Sequence, residues 1–308
     1  MKVLITGGLG FIGSNLAERC LEEGHDVALV SKSDKKRKNI KGLEDKVDLI
    51  LKDVTQIDEE VKSIDYIFHL ASIVHNKPVS NDPLKEVSVN CEGTIALLEA
   101  CRRHNPSARI VYGSTFFVNG SLGPEDIPAN PSSPCNPLSI YAATRLAGEH
   151  FCKVYNNAFG MNSVIARFTN IFGIREQGDN REKGVLNRMI SMAMKGGEIL
   201  VYDGGEVRRD YLYVSDAVEA CLVIAEKGQT GEIYYVGRGE EVKIKDLVSR
   251  VLDQTGTDSM KVVSSNIPRE MAVGDFSCDN TPLRDLGWLP KVYIMEGIKK
   301  TIEWYKNE

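Results

Sequence analysis

Tyr141 and Arg145 stand four residues apart in Tyr141-Ala142-Ala143-Thr144-Arg145, a spacing that puts both side chains on one face of a helix. A cation beside a phenol favours the phenolate and lowers its pKa. A phenolate can serve as general base towards a hydroxyl. Taken alone, the pair reads more simply as a partly buried surface tyrosine with a solvated arginine. The start of the chain supplies what oxidation chemistry would need. Lys2-Val3-Leu4-Ile5 runs into Thr6-Gly7-Gly8-Leu9-Gly10-Phe11-Ile12-Gly13, a Gly-x-x-Gly-x-x-Gly pattern. Gly7 permits a tight strand-to-helix turn, Gly10 lets the backbone approach a pyrophosphate, and Gly13 allows close helix–sheet packing. Phe11 and Ile12 open the helix, whose amides and dipole suit phosphate. The glycine pattern is weak by itself; lying between a strand and a helix, it predicts a dinucleotide site. A phenolate near a bound nicotinamide takes a hydroxyl proton while hydride leaves the same carbon.

The choice between NAD and NADP stays open. An acid ~20 residues after the glycines would hold the adenosine ribose diol and select NAD. That position is Ser31, followed by Lys32, with Lys35, Lys36 and Arg37 nearby. A hydroxyl and cations favour a 2′-phosphate, hence NADP; a solvated lysine face, or Asp34 folded back onto the ribose, leaves NAD in place. Asp53-Val54 follows the third strand. Its carboxylate is either an acceptor for the adenine amino group or an acid at a helix N-terminus preceding Thr55.

These residues need elements to carry them. Strands are predicted at Lys2 to Ile5, Val27 to Val30, Val47 to Leu51, Tyr66 to Leu70, Arg109 to Tyr112 and Ser163 to Arg167. The first helix runs from about Phe11 to Glu23 and stops at Gly24. Pro83 starts a long helix to about Arg103, with Val87, Cys91, Ile95 and Leu98 on one face. A proline-rich loop leads to another from Ser139 to Phe159, while Asp34 to Asn39 reads as an exposed loop. Alternating strand and helix predict an α/β fold, a doubly wound parallel sheet of Rossmann type. After Phe168 the rhythm changes. Residues 1–168, with about 212–237, are read as the dinucleotide-binding domain, and 169–211 with 238–308 as a smaller, discontinuous α/β substrate domain.

Composition narrows the classes. At 308 residues, 42% hydrophobic and 26% charged, the chain reads as globular. A net charge of -5 argues against a general nucleic-acid binder. Seven cysteines without a Cys-x-x-Cys pair, and five scattered histidines, predict reduced thiols in a cytoplasmic chain and no metal site. No apolar run is long enough for a bilayer, and the first strand begins at Met1, so neither a membrane span nor a signal peptide is expected.

Further segments add a resemblance. They are His69-Leu70-Ala71-Ser72; Val89-Asn90-Cys91-Glu92-Gly93-Thr94; Ser114-Thr115 with Gly120; Arg167-Phe168-Thr169-Asn170-Ile171-Phe172-Gly173; Arg209-Asp210-Tyr211-Leu212-Tyr213-Val214-Ser215-Asp216; and Leu286-Gly287-Trp288. With the glycine loop and Tyr141 to Arg145, the chain from Val3 to Trp288 resembles the extended short-chain dehydrogenase/reductase family, in particular its nucleotide-sugar epimerases and dehydratases. The resemblance implies a catalytic set of Thr115, Tyr141 and Arg145, with Thr115 holding the sugar's reacting oxygen and Tyr141 as base and later acid. It implies cofactor contacts from Leu70, Ala71 and Ser72, and substrate contacts from Ser114 and Thr115, from Asn170, and from Arg209 on the diphosphate, which a guanidinium fork can grip. A homodimer through the two long helices is also implied.

Two departures qualify it. The family pattern is Tyr-x-x-x-Lys, and Arg145 stands in the lysine position. Arginine stays charged but releases no proton, so a relay through lysine is lost. Relatives often carry Arg-x-Gly-Asp where this chain has Ala272-Val273-Gly274-Asp275, and Arg269 is then the substitute phosphate contact. Dehydratases of the family follow the threonine with Asp-Glu; here Phe116-Phe117 follows Thr115 and exchanges no protons. The reading is an NAD(P)-dependent nucleotide-sugar 4-epimerase that oxidises C4 transiently, on a UDP-hexose. An NADPH-dependent 4-keto-sugar reductase, and a weakly catalytic or non-catalytic nucleotide-sugar-binding or redox-sensing paralogue, are its alternatives.

Overall fold

A computed structural model describes residues 1–74, 82–178, 184–257, 260–263 and 273–308. In chain order the first elements are β1 (Lys2–Thr6), α1 (Phe11–Glu22), β2 (Asp26–Ser31), β3 (Val47–Leu51), β4 (Tyr66–His69), α2 (Pro83–Val87), α3 (Gly93–His104), β5 (Arg109–Thr115), α4 (Ile140–Phe159) and β6 (Asn162–Phe168). There follow β7 (Asn170–Phe172), α5 (Val185–Met194), β8 (Ile199–Tyr202), β9 (Arg208–Arg209), β10 (Tyr211–Tyr213), α6 (Val214–Lys227) and β11 (Ile233–Val236). The last are β12 (Val242–Lys243), α7 (Ile244–Thr255), β13 (Met260–Val263), α8 (Thr281–Asp285) and α9 (Ile294–Asn307).

Seven parallel strands form one sheet in the order β11-β6-β5-β4-β1-β2-β3. This is the doubly wound α/β sheet that the alternation of elements predicts. Successive strand residues point to opposite faces, and the core divides accordingly. Val3, Ile5, Phe68, Val111 and Val164 belong to one apolar cluster with Leu16 of α1 and Val218 of α6. Leu4, Ile67, Ile110 and Ile165 belong to another with Leu97 and Leu98 of α3. After β6 the chain leaves the sheet and returns with α6 and β11. Three two-stranded sheets, β10-β7, β12-β9 and β13-β8, occupy the stretches on either side of that return.

The long helix expected from Pro83 is not uniform. A π turn over Ser88–Glu92 joins α2 to α3. The extra residue rotates the helix face, so the expected stripe does not hold together. Leu98 is buried, but Val87 and Ile95 are 39% and 36% exposed, while Leu97, Ala100 and Cys101 face the core instead. The basic loop is also corrected. Arg37–Ile40 is a short 3-10 turn, and Asn39 is buried, its Nδ2 donating to the Leu9 carbonyl at 3.0 Å. No described helix is long and apolar enough to cross a membrane.

Candidate active site

Strand order reverses between β1 and β4, the place where doubly wound sheets leave a crevice for ligands. A cleft of about 470 Å³ opens there. Its wall includes Gly7, Gly10, Phe11, Ile12 and Gly13, then Ser31, Lys32, Lys35 and Lys36 at the end of β2, Leu70 and Ser72 after β4, and Ser114, Tyr141 and Arg145. Among the expected cofactor residues, Asp53, Val54 and Ala71 are not on this wall. Side chains at the glycines would fill the cradle. A Cβ on Gly13 would lie 2.5 Å from the Gly7 carbonyl oxygen, one on Gly10 2.8 Å from it, and one on Gly7 (φ +70°) 2.9 Å from the Ala71 nitrogen. The first turn of α1 carries no acid, and no described side chain caps it. A bare, acid-free helix N-terminus behind a glycine cradle fits a dinucleotide's diphosphate.

At the β2 end the side chains bond to one another. Ser31 Oγ donates to the Ser33 carbonyl at 2.9 Å, and Lys32 Nζ pairs with Asp53 at 2.7 Å. Asp53 caps a short turn, accepting from the Thr55 amide at 3.1 Å and the Thr55 hydroxyl at 3.0 Å. Of its two readings, the capping acid is the one these bonds realise. Burial pushes the Asp53 carboxyl up, but Lys32 and Thr55 outweigh it and hold it below the usual range. Val54 is buried against Gly93, whose Cβ would come within 2.5 Å of the valine Cγ1.

Ser139 starts α4, its Oγ accepting from the Ala142 amide at 3.1 Å. The helix then carries Tyr141 and Arg145, 8% and 1% exposed, onto the cleft. Thr115 at the end of β5 and Ser72 after β4 place hydroxyls near the Tyr141 phenol, although Ser72 Oγ itself donates to the Ile73 carbonyl at 3.3 Å. Burial raises the phenol's pKa above 10; Arg145, then Thr115 and Ser72, pull it back, and buried Glu86 of α2 pushes it up. The net direction is upward. The expected lowering by the guanidinium is present but outweighed, because burying a phenolate costs more than one adjacent cation returns. After Thr115, Phe117 meets the Tyr141 ring edge-on at 6.4 Å and lies tilted against Phe116 at 4.3 Å.

A buried polar network fixes these parts. Thr6 Oγ1 pairs with His69 Nδ1 at 2.8 Å, and His69 Nε2 with Thr94 Oγ1 at 3.0 Å. Thr94 spends its own proton on the Asn90 carbonyl at 2.6 Å, so His69 donates from Nε2 and accepts at Nδ1. Asn90 lies in the π turn and holds both Ile73 backbone groups and Thr144 at 2.9–3.1 Å. Ser114 donates to Glu149 at 2.5 Å, and Arg167 grips the same carboxylate at 2.8 and 2.7 Å. Ser114, expected at the substrate, lines the cleft and donates inward, and Glu149, which sequence reasoning missed, is the buried acceptor behind it. Also missed is Arg175, on the cleft wall with φ +67° and its guanidinium on Ser14 and Glu18. No sequence signal points to it.

The expected phosphate-side residues gather around β7 and β9. Asn170 Nδ2 donates to the Asp210 carbonyl at 2.9 Å. Arg209 donates to the carbonyls of Val273 at 2.6 Å, Arg208 at 2.9 Å and Gly274. Arg269 lies outside the described residues. Beneath them Asp210 accepts from the amides of Arg238 at 2.8 Å and Gly239 at 2.9 Å, and from Cys278 Sγ at 3.3 Å. Burial pushes its carboxyl up to about 6.

A family model described as the NAD dependent epimerase/dehydratase family matches residues 3–237. The UDP-glucose 4-epimerase of Mycolicibacterium smegmatis is 32% identical over 100% of this chain and 99% of its own. The crystal structure of a Thermus thermophilus UDP-glucose 4-epimerase in complex with NAD is 30% identical, with a TM-score of 0.87 over 99% of each chain. That of a Thermotoga maritima UDP-glucose 4-epimerase with UDP-glucose is 27% identical, with a TM-score of 0.90 over 100% of this chain and 99% of that one.

Asp210 yields a test of pH dependence. Its folded pKa of about 6 lies above the ordinary 3.8, so the folded state holds the extra proton between those values. The stability it contributes is present below the lower value and lost as pH rises through the upper one. Urea unfolding should show the stability of the wild-type chain falling relative to Asp210→Asn across that window. A constant difference between the two would remove Asp210 as the cause.

Proposed function

Because the chain belongs to the NAD-dependent epimerase/dehydratase family, we propose that it is a nucleotide-sugar 4-epimerase, with a UDP-hexose as substrate. The observation that carries this is the Tyr141 phenol on the cleft wall, with the Thr115 and Ser72 hydroxyls near it and aromatic rings where elimination would need acids. Tyr141 takes the proton from the sugar's C4 hydroxyl and later returns it to the same oxygen. Thr115 orients that oxygen. When bound, the oxidised nicotinamide supplies the hydride acceptor and a further positive charge beside the phenol. Phe116 and Phe117 offer no proton to a C5–C6 elimination, which supports epimerisation over dehydration. Residues 169–211 and 238–308 hold the nucleotide sugar in this reading, with Asn170 and Arg209 reaching its diphosphate once Arg209 leaves the loop carbonyls.

The Thermus and Mycolicibacterium relatives, both UDP-glucose 4-epimerases, support the sugar class. Incubation with UDP-glucose, without added cofactor, should yield UDP-galactose. Tyr141→Phe should lower turnover by about 10²–10⁴-fold while nucleotide binding persists. Net consumption of NADPH with a 4-keto sugar, and no interconversion, would identify a reductase instead.

Ser31, Lys35 and Lys36 on the cleft wall support NADP over the NAD described for the Thermus relative. Mass spectrometry of nucleotide released from the purified protein should find NADP. Recovery of NAD alone, with equal affinity for both forms on titration, would reject that choice.

Exposed apolar side chains on α2 and α4 support a homodimer: Leu84 is 81% exposed, Val154 57% and Phe159 51%. Light scattering should give twice the chain mass; a monomer at micromolar concentration would exclude it.

A further inference from the structure

We propose that Tyr112 is a positioning residue whose ring face is a dock for the planar Arg145 guanidinium, so that arginine is a working part of this site and returning it to lysine impairs the chain. The inference rests on the reading of Tyr141 as the base.

Arg145 is 1% exposed, and none of the described residues accepts a hydrogen bond from its Nη1. A buried cation needs compensation from its surroundings. The ring of Tyr112 supplies it: Arg145 Cζ lies 4.3 Å from the ring centroid. This attraction to the ring's negative face grows as water is excluded, and Tyr112 is fully buried.

The ring itself is fixed. Its hydroxyl donates to Arg145's own carbonyl at 3.2 Å. Gly148, one helical turn on from Arg145, leaves the space: a Cβ there would lie 2.0 Å from the Tyr112 hydroxyl oxygen. The His69 ring stands 5.7 Å from that of Tyr112. Both its nitrogens are engaged by threonines, and burial together with Arg145 holds its pKa near 3, so it adds no second cation. A guanidinium is planar and weakly hydrated, so it suits such a face. An ammonium is compact, tetrahedral and more strongly hydrated, and suits the same place less well.

The groups around the phenol are countable among the described residues. Tyr141 is faced by Arg145 on its own helix, Ser72 after β4, Thr115 and Tyr112 on β5, and Glu86 on α2. Arg145 in turn is faced by His69, Cys91 and Cys152, besides the two tyrosines. Among these groups, Tyr112 is the one whose ring face carries the Arg145 cation.

The test is an ultraviolet difference titration of the Tyr141 phenol, each variant measured against its Tyr141→Phe counterpart. Affinity for NADPH and NADH, read by fluorescence, is measured alongside. Tyr112→Phe keeps the ring face and loses only the anchoring hydroxyl, so on both readouts it should lie closer to the wild type than Tyr112→Leu does. Arg145→Lys and Tyr112→Leu should each move the phenol midpoint up by about half to one pH unit and weaken nucleotide binding roughly tenfold. Combined, they should do little more than either alone, because both break one interaction. A lysine variant with an equal or lower midpoint and equal or tighter nucleotide would overturn the proposal. So would full additivity of the pair. If Tyr112→Leu does not fold, the Arg145→Lys result decides. Neither readout needs a sugar, so a wild-type chain without turnover would defeat the epimerase reading and leave this one measurable.

Discussion

Two backbones pass unusually close where β1 and β4 end, and the site depends on that approach. Gly7 sits so near Ala71 that a methyl group would reach 2.9 Å from its amide nitrogen. Thr6 ties the two turns together, accepting from the Ala71 amide at 3.2 Å and bonding His69. The parallel sheet fixes the direction of both strands, so their following loops must open on the same edge. From β1 comes the phosphate cradle, from β4 the run to Ser72, and from neighbouring β5 the run to Thr115. Separating those loops by the width of a side chain would leave Tyr141 without its hydroxyl neighbours.

Holding polar groups in so dry a place demands that they satisfy one another. The Arg167–Glu149 pair, each side chain 2% exposed, illustrates the rule. Its fork geometry is completed by Ser114, and Tyr235 bonds Arg167 at 2.9 Å. Removing one member of a buried pair leaves an uncompensated charge, at about 3–5 kcal/mol. Such a network adds little net stability but admits few alternative arrangements. It anchors the middle of α4 to β5 and β6, and so sets where the helix's first turn lies. Tyr141 inherits its position from residues further along its own helix and on the two strands beneath it.

Much of this was legible in the amino-acid order. The glycine loop, the bounds of β3 and the reach of α4 follow from strand runs, a serine cap and a terminal glycine. What escaped has physical reasons. Asn39 sits among lysines whose charge hides a single inward amide. The direction of the Tyr141 shift depends on burial, which spacing does not report. Arg209 is read by its charge, and it is engaged by carbonyls distant in the chain. Glu149 and Tyr112 matter through what lies across from them, and only the folded sheet brings those partners near.

The π turn between α2 and α3 acts as a phase shifter. Upstream of it, α2 presents Leu84 and Val87 outward; downstream, α3 turns Leu97 and Leu98 onto the sheet. Both segments would compete for one orientation in an unbroken helix. The added residue releases that conflict and leaves Asn90 at the point of dislocation, where its amide can clasp a neighbouring loop. Shortening this stretch by a single residue would therefore be felt at both ends together: an outer surface rotated away from any companion chain, and an inner clasp pulled off the strand edge it secures.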